Sequence, residues 1–177
     1  MANILIIYST TDGHTRTICR QLQQYLHTLD TKVEVVAVEE VAARQLSDCD
    51  KIIVGASIRY GKHHERVYQL VKNHQQALEA RPNAFFSVNL VARKPEKRSP
   101  ETNPYVRKFL GQISWRPQKL EIFAGKLDYP RYGRMDRFVI RLIMRITGGP
   151  TDPQTTIEFT DWDRVEAFAR EFDEMGR

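Results

Sequence analysis

Residues Asn3–Tyr8 (NILIIY) form a near-continuous apolar run that ends directly in the polar loop Ser9-Thr10-Thr11-Asp12-Gly13-His14-Thr15. A strand with one wet face alternates apolar and polar residues. An unbroken apolar strand must be covered on both faces, as a parallel strand is inside an α/β sheet. The residues that follow have the matching rhythm. Gly13–Leu29 carries Ile18, Leu22, Tyr25, Leu26 and Leu29 at helical spacing, and the Val-rich Lys32–Val38 alternates as a second strand. Lys51–Gly55 reads as the third strand. Glu65–Ala80 reads as a helix with Val67, Leu70, Val71 and Leu78 on one face. Ala84–Asn89 is the fourth strand, Thr102–Ile113 a short helix and Leu120–Ala124 the fifth strand. Asp161–Met175 closes the chain as a helix capped by Thr160 or Asp161. Five strands alternating with helices predict an α/β fold with a doubly wound, five-stranded parallel sheet, spanning residues 1–177 as one domain.

Two segments exceed that alternation. Arg93–Pro100 (RKPEKRSP) is a charged loop directly after the fourth strand. Lys126–Thr156 is an insertion between the fifth strand and the last helix. Within it Tyr132–Thr147 reads as a helix, stopped by Gly148-Gly149-Pro150.

The loop after the first strand carries the clearest chemistry. In an open parallel sheet, ligands bind beyond the carboxyl ends of the strands. Here Ser9, Thr10, Thr11 and Thr15 supply hydroxyls, Gly13 permits close backbone approach, and the following helix offers free N–H groups and a partial positive charge. Asp12 and His14 complete the loop. It contains no Lys or Arg; Arg16 is the first. Binding phosphate through neutral donors suits a cofactor seated beside a redox centre. Neither GxxxxGK[ST] nor GxGxxG occurs here, and the end of the third strand is Gly55-Ala56-Ser57 rather than an acidic phospho-acceptor. The plainer alternative is a polar turn that only caps a helix.

Ile6–Thr15 fits the flavodoxin FMN signature residue for residue, and the chain resembles that family. The resemblance implies FMN, its phosphate held by Ser9, Thr10, Thr11, Asp12, Gly13, His14 and Thr15, and its ring held between the loops after the third and fourth strands. Those loops are Gly55-Ala56-Ser57-Ile58-Arg59-Tyr60-Gly61 and Asn89-Leu90-Val91-Ala92-Arg93-Lys94. Tyr60 or Ile58 is expected against a face of the ring, with backbone amides of Ser57, Gly61 and Asn89–Ala92 at its pyrimidine edge. The bland alternatives are a surface aromatic at Tyr60 and a turn residue at Asn89.

The third-strand loop, the stretch Phe86–Arg98 and Tyr129-Pro130-Arg131-Tyr132 together resemble the bacterial quinone-dependent protoporphyrinogen IX dehydrogenases of flavodoxin type. The likeness runs through Thr160-Asp161-Trp162. It implies oxidation of protoporphyrinogen IX in heme biosynthesis, with electrons passed to menaquinone or ubiquinone. The flavin N5 is then the reactive group, and no side chain stands out as catalytic. Arg59, Arg93, Arg98, Arg131 and Arg134 are candidates for the substrate propionates, because the guanidinium fork fits a carboxylate.

In the inserted helix Arg134, Arg137, Arg141 and Arg145 fall on one stripe, beside a wide apolar arc. Such a helix suits anionic lipid, a slot for quinone or porphyrinogen, or a second copy of the chain; packing on its own domain is the alternative. The net charge of +5 points the same way, toward anionic partners. No nucleic-acid motif is present, so nucleic acid is not an expected partner. Without a basic leader or an apolar span, the chain is expected on the cytoplasmic face of the inner membrane as a peripheral protein. Cys19 and Cys49 lack metal or CxxC spacing and read as reduced structural thiols, and His63-His64 as a solvated helix start. The competing functions are a soluble flavodoxin-type electron carrier, an NAD(P)H-linked quinone reductase and a non-enzymatic interaction domain without cofactor.

Overall fold

A computed structural model describes residues 2–27 and 31–176. In chain order its elements are β1 (Asn3–Ser9), α1 (His14–His27), β2 (Lys32–Ala37), α2 (Ala43–Asp48), β3 (Lys51–Arg59), β4 (Lys62–His63), α3 (Glu65–Glu79), β5 (Asn83–Asn89), α4 (Pro104–Gln112), β6 (Lys119–Ala124), β7 (Lys126–Asp128), α5 (Arg134–Ile146), β8 (Thr156–Glu158) and α6 (Trp162–Glu174). Short 3-10 turns occupy Leu90–Arg93, Pro95–Lys97 and Tyr129–Arg131. The expected end of the first helix at Leu29 lies outside the described residues.

The main sheet runs β2-β1-β3-β5-β6 with every neighbouring pair parallel. The chain goes from β1 outward to β2 and then returns to the other side of β1 for β3. The order therefore reverses between β1 and β3, and a crevice opens at their carboxyl ends. Tyr8 is paired there with both Ala37 and Gly55.

The strand pleat explains why β1 is apolar at every step. Ile4 and Ile6 face one layer with Ile18, Leu22, Phe168 and Phe172, where α1 and α6 pack. Leu5 and Ile7 face the other, with Val67, Leu70, Phe109 and Trp115. On β5 the same alternation sends Phe86 to the first layer and Phe85 to the second, where Phe85 stacks on Phe109 at 4.6 Å. Gly55 is required by this packing. A Cβ there would lie 2.1 Å from Cζ of Phe86, so the ring occupies the space a side chain would need.

The structure adds elements too short for periodicity to reveal. Helix α2 has six residues. Strand β3 runs on to Arg59 and turns through Tyr60 (φ 51) and Gly61 (φ 77) into the two-residue β4. Two consecutive positive φ values match the tight hairpin turn that follows the right-handed strand twist. Helix α4 starts later than the periodicity suggests, because Asn103 accepts from the amides of Tyr105 and Val106 and Pro104 takes the first helical position.

The pair His63-His64 corrects an expectation. His64 does begin a helix, its Nδ1 accepting from Arg66 N at 3.2 Å. His63 is not solvated. The alternation of β4 turns it inward, where it is fully buried against Phe85 and Phe109 with Nε2 2.9 Å from Ser87 Oγ. The two cysteines form no disulfide: Cys19 is buried and Cys49 half-buried.

The segment between β6 and α6 builds a small core of its own. β7 and β8 pair antiparallel. Leu127, Tyr129, Tyr132 and Met144 are buried together, with Leu90, Ile140 and Phe159 packed on them. Buried phenols need partners. Tyr129 donates to Pro150 O at 2.7 Å, and Tyr132 Oη accepts from Asp128 N at 3.1 Å. This core fixes α5 over the carboxyl edge of the main sheet.

Candidate functional site

Four pieces of chain meet above the carboxyl ends of β1, β3 and β5: the β1–α1 loop, the β3–β4 hairpin, the turn after β5, and α5. They enclose a cleft of about 1070 Å³ including its open mouth.

The β1–α1 loop is shaped by Gly13, at φ 88 with open space where a Cβ would stand. Gly13 N donates to Thr10 Oγ1 at 3.0 Å, so the Thr10 hydroxyl keeps its own proton for a further acceptor. The first amide bonded along the helix is Thr17 N, to Gly13 O at 3.2 Å, which leaves the amides of the opening turn without helical partners. Thr15 is fully buried, and its Oγ1 has no hydrogen-bond partner among the described residues. A buried hydroxyl is normally satisfied. One left over at a helix N-terminus fits a bound phosphate oxygen.

Thr10, Asp12, His14 and Thr15 line the cleft. Ser9, Thr11 and Gly13 do not. Ser9 is the buried last residue of β1, Thr11 points to solvent, and Gly13 contributes through the turn it permits.

His14 is anchored rather than loose. Thr160 donates to Ala124 O at 2.7 Å, so its oxygen is the acceptor for His14 Nε2 at 2.7 Å. The proton of His14 therefore sits on Nε2. Burial holds the imidazole below its ordinary range against an opposing pull from Glu158, while Lys126 adds to the depression.

The β3–β4 hairpin supplies Ser57, Ile58, Arg59, Tyr60 and Gly61, all of which line the cleft. The Arg59 guanidinium is 2.6 Å from Asp12 Oδ2 and 3.7 Å from Asp136 Oδ2, and it stands 5.7 Å from the ring centre of Tyr132. One cation thus joins the β1–α1 loop, the hairpin and the first turn of α5. Tyr60 is 60% exposed and donates its hydroxyl to Asp136, which makes the phenol harder to ionise and holds its pKa above the usual range.

The turn after β5 is set by a buried polar chain. Ser87 lies between His63 Nε2 and Asn89 Nδ2, which donates to Ser87 Oγ at 3.2 Å. Asn89 Oδ1 accepts from Ala92 N and from Asn103 Nδ2, each at 3.1 Å. Asn89, Leu90 and Val91 line the cleft. Ala92 does not: it is fully buried and its amide is already consumed by Asn89, so it cannot offer the N–H expected of it.

Helix α5 closes the far side, and its wide apolar arc divides into two faces. Val139, Ile140, Ile143 and Met144 turn inward and line the cleft with Tyr105 and Tyr132. Met135, Phe138, Leu142 and Ile146 form an outer stripe, 73%, 68%, 48% and 75% exposed. The arginine stripe also divides. Arg137 donates to Tyr129 O and Tyr132 O, and Arg141 to Thr151 O at 2.8 Å. Arg134 and Arg145 point outward without a partner among the described residues. Arg93 holds Leu90 O, Thr147 O and Thr147 Oγ1, and Arg98 holds Ala92 O at 2.9 Å. Arg131 lines the cleft and has no hydrogen bond or ion pair among the described residues. Tyr105, on α4, and Tyr132, in the insertion, were not singled out as site residues from sequence; only the tertiary fold brings them beside the loops after β3 and β5. Among the described residues no cluster of side chains is suited to a metal.

This arrangement, a phosphate cradle followed by an apolar slot, suits a phosphorylated planar cofactor with an apolar reactant stacked near it. Comparison with known proteins places the chain in a family and a fold. A family model described as a flavodoxin domain matches residues 5–154. The chain is 48% identical over 167 residues to the protoporphyrinogen IX dehydrogenase (quinone) of Escherichia coli strain K12, covering 94% of this chain and 92% of that protein. The Leishmania major protein of the same name is also 48% identical, over 170 residues, 95% of this chain and 73% of that one. Oxidised flavodoxin 1 from Bacillus cereus shares the fold with a TM-score of 0.54 at 14% identity, over 99% of this chain and 100% of that one. A short-chain flavodoxin associated with a bacterial microcompartment does so with a TM-score of 0.60 at 12% identity, over the whole of both chains.

Proposed function

Since this chain belongs to the flavodoxin family, we propose that it is an FMN-dependent, quinone-linked dehydrogenase that oxidises protoporphyrinogen IX to protoporphyrin IX in heme biosynthesis. The observation that carries the reading is the apolar inner face of α5 standing opposite the ring loops, over a cradle that ends in the unpartnered hydroxyl of Thr15. The flavin, when bound, supplies the redox chemistry, taking hydride equivalents from the porphyrinogen and returning them to a quinone.

The chain's own residues bind and orient. Thr10, Thr15 and the first amides of α1 would hold the FMN phosphate, with His14 fixed beside them by Thr160. Ser57–Gly61 and Asn89–Val91 would flank the ring. Val139, Ile140, Ile143 and Met144 offer a dry wall to a macrocycle or a quinone and exclude water from the reacting face. In this reading residues 1–177 are one domain, and residues 126–156 are the insertion that converts a flavin-holding edge into a reactant slot.

The outer stripe of α5 supports a second part of the proposal. Met135, Phe138, Leu142 and Ile146 lie flat on an anionic membrane, flanked by Arg134 and Arg145. The protein then works as a peripheral protein on the cytoplasmic face of the inner membrane, where menaquinone or ubiquinone is dissolved. No described helix is long and apolar enough to cross a membrane, so contact is at the surface.

The function is tested by purifying the protein, recording its flavin absorbance and adding donors without air. Protoporphyrinogen IX bleaches the flavin, NADH does not, and a menaquinone analogue restores the colour. Bleaching by NAD(P)H and not by protoporphyrinogen favours a nicotinamide-linked quinone reductase instead. A colourless protein that cannot be loaded with FMN removes the reading altogether.

A further inference from the structure

An apolar slot beside a flavin does not by itself separate the two reactants. Quinone ring and porphyrinogen macrocycle are both broad and apolar, and burial rewards both through the same walls. Their clear chemical difference is charge: the porphyrinogen carries two propionates. Selection between them therefore needs a cation that lines the slot and is not already taken.

Four cationic side chains line the cleft: Arg59, Arg93, Lys126 and Arg131. Three are engaged. Arg59 spans Asp12 and Asp136. Arg93 is bonded to Leu90 O, Thr147 O and Thr147 Oγ1, so it ties the turn after β5 to the end of α5. Lys126 faces Asp128 at 3.7 Å. Arg131 alone has no hydrogen bond or ion pair among the described residues, and its side chain is exposed at the cleft. Its backbone is nonetheless fixed. It ends the turn Tyr129–Arg131, both neighbouring tyrosines are buried, and Tyr132 N donates to Tyr129 O at 3.1 Å. An unengaged guanidinium carried on a fixed turn is free to form a two-pronged bond to a carboxylate. Arg134 and Arg145 are also unpaired among the described residues, but neither lines the cleft.

We infer that Arg131 pairs with a propionate of the porphyrinogen and is the residue that distinguishes this substrate from the quinone in the slot they share. The inference rests on the functional reading above and goes further, by giving one of the five arginines considered for the propionates a specific task.

The test uses flavin-loaded wild type and Arg131→Gln, with protoporphyrinogen IX, its dimethyl ester and a soluble menaquinone analogue. A charge-assisted bond of this kind corresponds to on the order of ten- to a hundredfold in kcat/KM. Wild type should prefer the free acid to the ester by that factor. Arg131→Gln should lose the preference through a raised KM for the acid, with the ester and the quinone KM unchanged to about twofold. Arg131→Lys should recover part of it. Equal losses for acid, ester and quinone would assign Arg131 a merely structural role and overturn the inference. So would a wild type indifferent to esterification. A flavin-loaded wild type that oxidises neither porphyrinogen overturns the functional reading itself, a result distinct from both.

Discussion

Arg59 and Asp12 meet at 2.6 Å between the hairpin after β3 and the loop after β1, and the same guanidinium reaches Asp136 of α5. Asp12 is the single acid in a loop otherwise built from neutral donors. Beside a phosphate its charge is unfavourable, and Arg59 offsets it. Arg59→Ala should therefore weaken FMN binding by on the order of tenfold, the scale of one uncompensated charge at short range near a surface. Arg59→Ala with Asp12→Asn should restore most of the loss. Fluorescence titration of the apoprotein with FMN measures both, and a double variant as weak as the single one would show that Arg59 acts through something other than Asp12.

Thr15 gives a sharper separation of binding from folding. Its hydroxyl is buried and unsatisfied within the protein, so replacing it with an isosteric methyl removes an unfavourable group from the apoprotein. Thr15→Val should leave apoprotein stability unchanged or raise it by up to about 1 kcal/mol, while weakening FMN at least tenfold. Urea unfolding of the apoprotein and flavin titration check the two halves. Undiminished flavin affinity would take this hydroxyl out of the phosphate site.

His63 predicts a pH dependence. Burial holds its imidazole down to about 3 from an ordinary 6.5. Between those values the unfolded chain binds a proton that the folded chain refuses. The stability His63 contributes is thus complete above pH 6.5 and declines as pH falls toward 3, by up to about 1.4 kcal/mol per pH unit. His63→Gln does not titrate there. Urea midpoints measured at about pH 7 and about pH 4.5 should diverge less in His63→Gln than in wild type. Equal slopes would mean that His63 takes up its proton in the folded state.

The outer stripe of α5 predicts lipid binding. Phe138→Glu and Ile146→Glu each remove apolar contact amounting to about 2 kcal/mol, and Arg134→Glu with Arg145→Glu removes about 1 kcal/mol per arginine near an anionic surface. Co-sedimentation with phosphatidylserine-containing vesicles should fall at least tenfold in either pair of variants, and wild-type binding should weaken with salt. Wild-type protein that ignores such vesicles but dimerises through these residues in sedimentation velocity would assign the stripe to a second copy of the chain instead.

The parallel strands and the turn that opens α1 were legible because both are local. Periodicity reports which faces are covered, and Ser9–Thr15 announces a helix N-terminus by residue type alone. Elements of two to six residues, such as β4 and α2, have no periodicity to read. Ala92 and His63 failed for another reason. The Asn89 oxygen that takes the nearby Ala92 amide is held by the more distant Asn103, and His63 faces Phe109 only because a two-residue strand turns it inward.

The inserted helix shows where the boundary falls. Its composition determined that it would be helical, basic and apolar over too wide an arc for one core, because those properties follow from residue spacing on a single helix. Only the tertiary structure decided which apolar residues line the cleft, which lie outside, and which arginines are consumed by carbonyls of Tyr129, Tyr132 and Thr151. Spacing fixes angles around one axis. The partner met at each angle is set by how the remaining chain folds against it, and that is where the four arginines of the helix ceased to be equivalent.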